Sequence, residues 1–335
     1  MIFFPKKIPQ NETFICLFRI NKKTIAMIGK VYHIASILCF LLLFVAWKPV
    51  YPADEPSNYF ETLRLSNKSD YAAEQSILKS HTIEQLTAKI LSYYTDTATI
   101  IRQKAYYLTY KKGLQSAHSG RTVAVRHLLS ACNDADGGIV GQGLRYLQEF
   151  SVEDFDDECR AVINGKIAYT KTPHYKELVL LSGYIHTGKD ELQKVLLNVN
   201  LPERHRWYVA LALSRSGDPA QTAYCMRKVE KLPVNSDLVS YVLPDLIYMR
   251  QKEAIDYCVE LLNSDAKLCD SQNPDISEKI NCAYPLIPLL APAIADFPVE
   301  IDASGDIAGD YIQALNILRQ WFSINKDYKI VQTTF

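Results

Sequence analysis

Glycine and proline are scarce in this chain of 335 residues, at 13 and 15. That scarcity excludes a collagen-like or low-complexity chain, and 48% hydrophobic residues supply ample material for a core. Eight scattered cysteines are too few for a disulfide-framework miniprotein. Net charge is missing too, with 37 basic against 37 acidic side chains. The balance hides a split. Residues 1–30 hold six basic side chains and Glu12 alone, a net +5, which leaves 31 basic against 36 acidic over residues 31–335, a net −5. A slightly acidic body lacks the basic face that phosphate neutralisation needs, so no nucleic-acid partner is expected.

Recognisable chemistry is also lacking. Gly137-Gly138-Ile139-Val140-Gly141-Gln142-Gly143 has the wrong order for a phosphate loop, with no Gly-Lys-Ser/Thr, and reads as a turn followed by small residues at a close helix contact. None of the seven histidines forms H-E-x-x-H or an i,i+4 pair. Asp134 and Asp136, and likewise Asp302, Ser304 and Asp306, miss the calcium-loop pattern, with Gly143 and Gln313 where the closing Glu belongs. No G-x-S-x-G elbow occurs. These absences lead us to expect no cofactor, no metal site and no catalytic residue, although a triad assembled from distant positions is defined by geometry rather than by sequence.

What is present begins with a long hydrophobic run. Val31 to Trp47 carries no formal charge, follows the basic stretch, and exits into the polar Asp54-Glu55-Pro56-Ser57. A basic n-region, an apolar h-region and a polar exit form a secretory signal, whereas a spanning helix usually takes roughly 20 residues. Signal peptide and signal-anchor both stand, with cleavage near Ala53 the preferred of the two. The stretch before Met27 is long for an n-region, so Met27 is a candidate true start. Positive charge on the N-terminal side predicts that residues 54–335 are exported across the membrane, facing outward as a periplasmic, secreted or anchored body. Membrane contact is expected only through this segment.

From Asn58 onward the apolar spacing is helical, with no sustained β-branched alternation. Thr82 and Gln85 form a capping-box pattern at the head of one helix. Leu108, Leu147, Ile185, Leu213 and Ile247 recur at 39, 38, 28 and 34 residues, the span of two helices and two turns. Turns such as Ser216-Gly217-Asp218-Pro219 and Thr187-Gly188-Lys189-Asp190 separate the helices of a pair, with Gly suited to a left-handed C-cap and Asp to capping the next helix. Second helices are expected over Ala220 to Leu232 and Lys252 to Leu262.

In Arg206-Trp207-Tyr208-Val209-Ala210-Leu211-Ala212-Leu213 with Ser216-Gly217-Asp218-Pro219, and again in Arg102, Ala105 and Leu108, the chain resembles the HEAT-like α-solenoid repeat family. The resemblance covers roughly residues 95–265 and departs from the family at Gly141, at Gly183 and in its uneven spacing. It implies an all-α fold, a right-handed solenoid of antiparallel helix pairs. The expected organisation is a leader over 1–53, an N-terminal helical cap over 54–94, repeats over 95–265, and an irregular helical cap over 266–335. That last part is broken by Pro285, Pro288, Pro292 and Pro298 and closed by a helix from Asp306 to Phe322.

Three features remain as candidate sites. The run Glu153, Asp154, Asp156, Asp157, Glu158 offers a cation or a basic partner a surface, but serves more simply as a helix start capped by Ser151. Tyr106, Tyr146, Tyr184, Tyr208 and Tyr248 lie on first helices, where tyrosine would supply recognition surface; packing between helices is the plainer alternative. Cys269 and Cys282 flank a polar 12-residue loop, with a short helix expected over Ile276 to Asn281, and form a candidate disulfide. The expectation for function is a non-enzymatic, exported or membrane-tethered scaffold that binds a protein or peptide. The alternative is an envelope enzyme, or an accessory subunit of one, with its site in 266–335.

Overall fold

The computed structural model describes residues 55–271, 275 and 277–335, so the hydrophobic run 31–47 and its leader lie outside the described residues. Fifteen α-helices account for most of what is described. They are α1 Pro56–Ser66, α2 Tyr71–Ser80, α3 Ile83–Ile90, α4 Thr99–Leu114, α5 His118–Leu129, α6 Gly137–Leu147, α7 Asp157–Ile167 and α8 Tyr175–Tyr184. After them come α9 Lys189–Leu196, α10 Glu203–Arg215, α11 Pro219–Val229, α12 Leu243–Tyr248, α13 Lys252–Leu262, α14 Ala283–Leu290 and α15 Tyr311–Ile324. Among the described residues no helix is long and apolar enough to cross a membrane.

Local chemistry sets the helix starts. Thr82 and Gln85 make the reciprocal capping box at α3, the Gln85 amide N–H donating to Thr82 Oγ1 at 3.3 Å and the Thr82 N–H to Gln85 Oε1 at 3.0 Å. Asp218 accepts from the N–H groups of Ala220 and Gln221, with Pro219 at the first helical position of α11. Gly217, at φ +83°, supplies the left-handed residue after α10. At the preceding turn the roles differ from expectation. His186, at φ +52°, takes the left-handed position after α8, Gly188 is the N-cap of α9, and Asp190 sits in its first turn.

Alternate helices share a row. The helices α2, α4, α6, α8, α10, α12 and α14 touch in succession, and α3, α5, α7 and α9 touch in succession beside them. The landmarks Leu108, Leu147, Leu213 and Ile247 fall on α4, α6, α10 and α12, while Ile185 is the C-cap of α8. One continuous core runs through the rows, from Phe60 on α1 to Phe322 on α15. Gly183 explains one departure from the repeat pattern. A Cβ built there would lie 2.6 Å from Ala212 Cα and 2.5 Å from the Tyr248 hydroxyl, so α8 and α10 approach at a distance only glycine permits.

Three boundaries are corrected. The last helix begins at Tyr311, capped by Asp310, because Asp306 is taken up earlier: its carboxylate accepts the Tyr311 hydroxyl at 2.6 Å. The first of the paired second helices spans Pro219–Val229 rather than Ala220 to Leu232. The stretch expected as a short helix before Cys282 includes a strand, β2 Ile280–Asn281, which pairs antiparallel with β1 Lys267–Cys269. Cys269, the last residue of β1, and Cys282, the residue after β2, lie 5.0 Å apart at Cα and are joined in a disulfide.

Candidate functional site

The tyrosines proposed as a surface are a correction. Tyr106, Tyr184, Tyr208 and Tyr248 are buried, and Tyr146 is half-buried with its ring stacked on Tyr110 at 4.1 Å. Burial of so much ring area is stable because each hydroxyl finds a partner inside the helical rows. Tyr106 meets Ser130 Oγ at 3.1 Å, Tyr208 accepts from Arg204 Nε at 2.6 Å, and Tyr248 donates to the Leu180 carbonyl at 2.5 Å. Tyr146 accepts from the Gln142 amide at 2.6 Å. These side chains therefore do not form an exposed recognition face.

Two carboxylates of the acidic run are taken up by the fold, while Glu153, Asp157 and Glu158 are exposed, and Ser151, expected to cap the helix, caps only the short turn Val152–Asp154 before it. Asp154 is wholly buried and accepts from Ser151 N–H at 3.0 Å, from Arg121 Nε at 3.0 Å and from His118 Nδ1 at 2.8 Å. Asp156 caps α7 through the Cys159 N–H and pairs with Arg126. Asp134 is paired with Arg102 at 2.7 Å, and Asp136 caps α6. Among the described residues no group of three His, Cys, Asp or Glu could hold a metal ion. In 266–335, where the alternative reading placed a site, Ile280, Tyr284, Pro285 and Tyr311 line a shallow apolar cleft of about 360 Å³.

The arrangement that gathers the most unusual chemistry lies at the C-terminal ends of the row helices. Tyr184, Arg215 and Tyr248 are the last residues of α8, α10 and α12, and Arg250 follows α12 in the left-handed conformation, at φ +53°. Helix ends present carbonyls without intrahelical partners and a partial negative charge, which attracts cations. Arg215 Nη1 donates to the Tyr248 carbonyl at 2.6 Å, and Arg250 Nη1 to the Ile247 carbonyl at 2.8 Å. The Arg215 guanidinium also lies over the rings of Tyr184 and Tyr248, at 5.5 and 5.3 Å.

An extended segment of the same chain crosses these helix ends. It is aligned by a bridge between Ile330 and Ile294 and by the Val331 N–H, which donates to the Ala293 carbonyl at 2.9 Å. Five successive carbonyls then accept from side chains. Val331 takes Arg250 Nε at 3.0 Å, Gln332 takes Arg215 Nη2 at 2.9 Å, and Thr333 takes the Tyr184 hydroxyl at 2.8 Å. Thr334 takes Arg215 Nη2 at 2.8 Å, and Phe335 takes Arg250 Nη2 at 3.1 Å. The Phe335 ring packs against Tyr184 and Tyr248, each with centroids 5.5 Å away. Beside the segment a cleft of about 430 Å³ opens toward Gln148, Glu149 and Ser151.

Both arginines are buried, and among the described residues neither has an Asp or Glu side chain within ion-pair distance. Burial, with the Arg215 charge adding to it, pulls the Arg250 guanidinium down to about 10, and burial pulls Arg215 down as well. Burial pushes the Tyr184 hydroxyl up to about 12. Arg215 Nε is buried without a hydrogen-bond partner. Reading the sequence missed both arginines. The available signal was a basic residue at the close of a helix, and nothing local distinguishes Arg215 and Arg250 from an exposed arginine in that position.

The chain was compared with protein-family models, with curated proteins and with solved structures, and nothing matches in any of the three.

Proposed function

We propose that residues 54–335 are a non-enzymatic scaffold, a right-handed HEAT-like α-solenoid that binds a protein or peptide partner and works outside the cytoplasm. The helix grammar at Arg206–Pro219 and the stacking of alternate helices in one row support the repeat reading. Export rests on the apolar run 31–47 and the basic residues before it. The observation that carries partner binding is the segment Ile330–Phe335, an extended strand of polypeptide held by buried side chains through its backbone. Extended peptides docked through main-chain hydrogen bonds are a recurring recognition mode.

The test is capture of the tagged full chain from envelope fractions of its own cells, with the captured protein quantified against the bait. The reading expects the chain in the envelope or outside the cell with a partner near stoichiometric ratio. A wholly cytosolic chain removes the export half, and absence of any stoichiometric partner removes the scaffold half.

A further inference from the structure

Beyond that reading, we infer that one edge of the helical array docks on the anionic surface of a membrane, a second membrane contact in addition to the one expected of the run 31–47. The junctions α7–α8 and α9–α10 and the segment after α11 make this edge, and contacts tie them together. The Tyr175 hydroxyl at the start of α8 donates to the Ile167 carbonyl at the end of α7, at 3.0 Å, and the Tyr175 ring lies 4.9 Å from that of His205 at the start of α10. Arg206 reaches the Leu196 carbonyl at the end of α9 at 2.9 Å, and Lys228 in the last turn of α11 pairs with Glu203 at 2.7 Å.

Positive charge is concentrated here. Segments 166–174, 194–206 and 227–234 hold eight basic side chains against Glu203 and Glu230, a net +6 within a body whose residues 31–335 sum to −5. The acidic average conceals this edge. Glu203 is engaged by Lys228, and at the neighbouring α5–α6 junction Asp134 is paired with Arg102 while Asp136 caps α6. Lys171, Arg227 and Lys231 are exposed, and among the described residues none of them has an Asp or Glu side chain within ion-pair distance.

Apolar side chains stand among these cations. Leu197 and Val199 are 80% and 87% exposed, and Tyr169 and Leu232 are exposed on the flanking segments. A single exposed leucine is ordinary. This loop, however, has a core side, which Leu201 occupies, and Arg206 fixes the loop through the Leu196 and Asn198 carbonyls, so Leu197 and Val199 are held outward. Apolar tips between cations fit the interface of an anionic bilayer, where the charges meet lipid phosphates and the apolar groups enter the boundary between headgroups and acyl chains. An acidic protein would be met by a recess, and side chains this exposed project rather than line one. Nucleic acid would be met by stacking aromatics, whereas the two most exposed side chains here are aliphatic.

The test places a tryptophan in the full chain at the tip of the edge, Val199→Trp, or at the opposite end of the helices, Gln115→Trp, in the exposed turn between α4 and α5. Each chain is reconstituted with vesicles of phosphatidylcholine bearing brominated acyl chains, alone or with an equal part of phosphatidylglycerol. Quenching is read against the unaltered chain. The probe reports its own position, so insertion of the run 31–47 does not mimic the result. With phosphatidylglycerol, Val199→Trp should be quenched at least threefold more than Gln115→Trp, and without it no more. A basic residue near an anionic surface contributes about fivefold to partition, so adding Lys171→Glu and Lys231→Glu should lower the ratio of quenched to unquenched probe about 25-fold or more.

Equal quenching of the two probes, or quenching indifferent to phosphatidylglycerol or to the charge reversals, overturns the inference. Release of Val199→Trp from the vesicles by inorganic phosphate, but not by chloride at equal ionic strength, assigns the edge to free phosphate and overturns the membrane assignment. Binding of polyglutamate or of an oligonucleotide at the edge, with no quenching by vesicles, overturns it in favour of an acidic protein or a nucleic acid.

Discussion

Substituting Gly183 by alanine probes the close approach of α8 and α10. The added Cβ would lie 2.6 Å from Ala212 Cα and 2.8 Å from Ala212 Cβ, and the first of these is backbone that cannot rotate away. It would also lie 2.5 Å from the Tyr248 hydroxyl, pressing that group off its bond to the Leu180 carbonyl. Overpacking costs about 1–3 kcal/mol, and a buried hydroxyl left without its partner costs about 1–3 kcal/mol more. Against this, alanine gains about 1 kcal/mol of helix propensity over glycine. The balance is a loss of about 1–5 kcal/mol, or on the order of 2–10 °C in a domain of this size. The internal control is Gly165, exposed on α7 with nothing within 4 Å of its built Cβ. There the same substitution keeps only the propensity gain and stabilises by about 0.5–1 kcal/mol. Thermal melts of the full chain followed by far-ultraviolet circular dichroism report both values. A Gly183→Ala chain as stable as the unaltered one refutes the close-contact argument.

Four more outcomes follow from named groups. Asp154→Ala leaves Arg121 and His118 without the buried carboxylate they share, and because both are partly exposed, a loss of about 2–3 kcal/mol is expected in urea melts, below the ceiling for a fully buried pair. Tyr175 and Tyr184 are pushed by burial from 10.0 to about 12, so the proton is held more tightly in the fold than in the unfolded chain. The stabilisation is complete below pH 10 and lost as pH rises toward 12, up to about 3 kcal/mol for each group, so tyrosinate absorbance should rise together with loss of helical signal. Reducing Cys269–Cys282, a link across 13 residues, removes about 3 kcal/mol by the loop-entropy model. Meanwhile the buried thiols Cys225 and Cys258, raised to about 12 by burial, should stay unreactive to iodoacetamide until the chain unfolds.

Helices were the legible part because their signals are local. The Thr82–Gln85 box, the Gly217-Asp218-Pro219 turn and the apolar spacing of Lys252–Leu262 are decided within a few residues, and α13 has the bounds its pattern predicts. The candidate site was not legible because its contacts are remote. Tyr184 meets Thr333 across 149 residues, Arg215 meets Gln332 across 117, and Arg250 meets Phe335 across 85. Tyrosine misled for a related reason: composition favours it at surfaces, whereas here the Ser130, Gln142 and Arg204 side chains and the Phe150 and Leu180 carbonyls satisfy the hydroxyls and let the rings be buried. Strand β2 was missed because two residues in an extended pairing leave no periodicity to detect.

The account stands or falls on whether another polypeptide reaches the cleft beside Ile330–Phe335. Glu149 is exposed on its rim, and a photo-crosslinking residue placed there in the full chain samples whatever enters. Irradiated in living cells, the Glu149→p-benzoylphenylalanine chain should give an adduct with a second protein. Adducts confined to residues 330–335 of the same chain, under every growth condition, would contradict it.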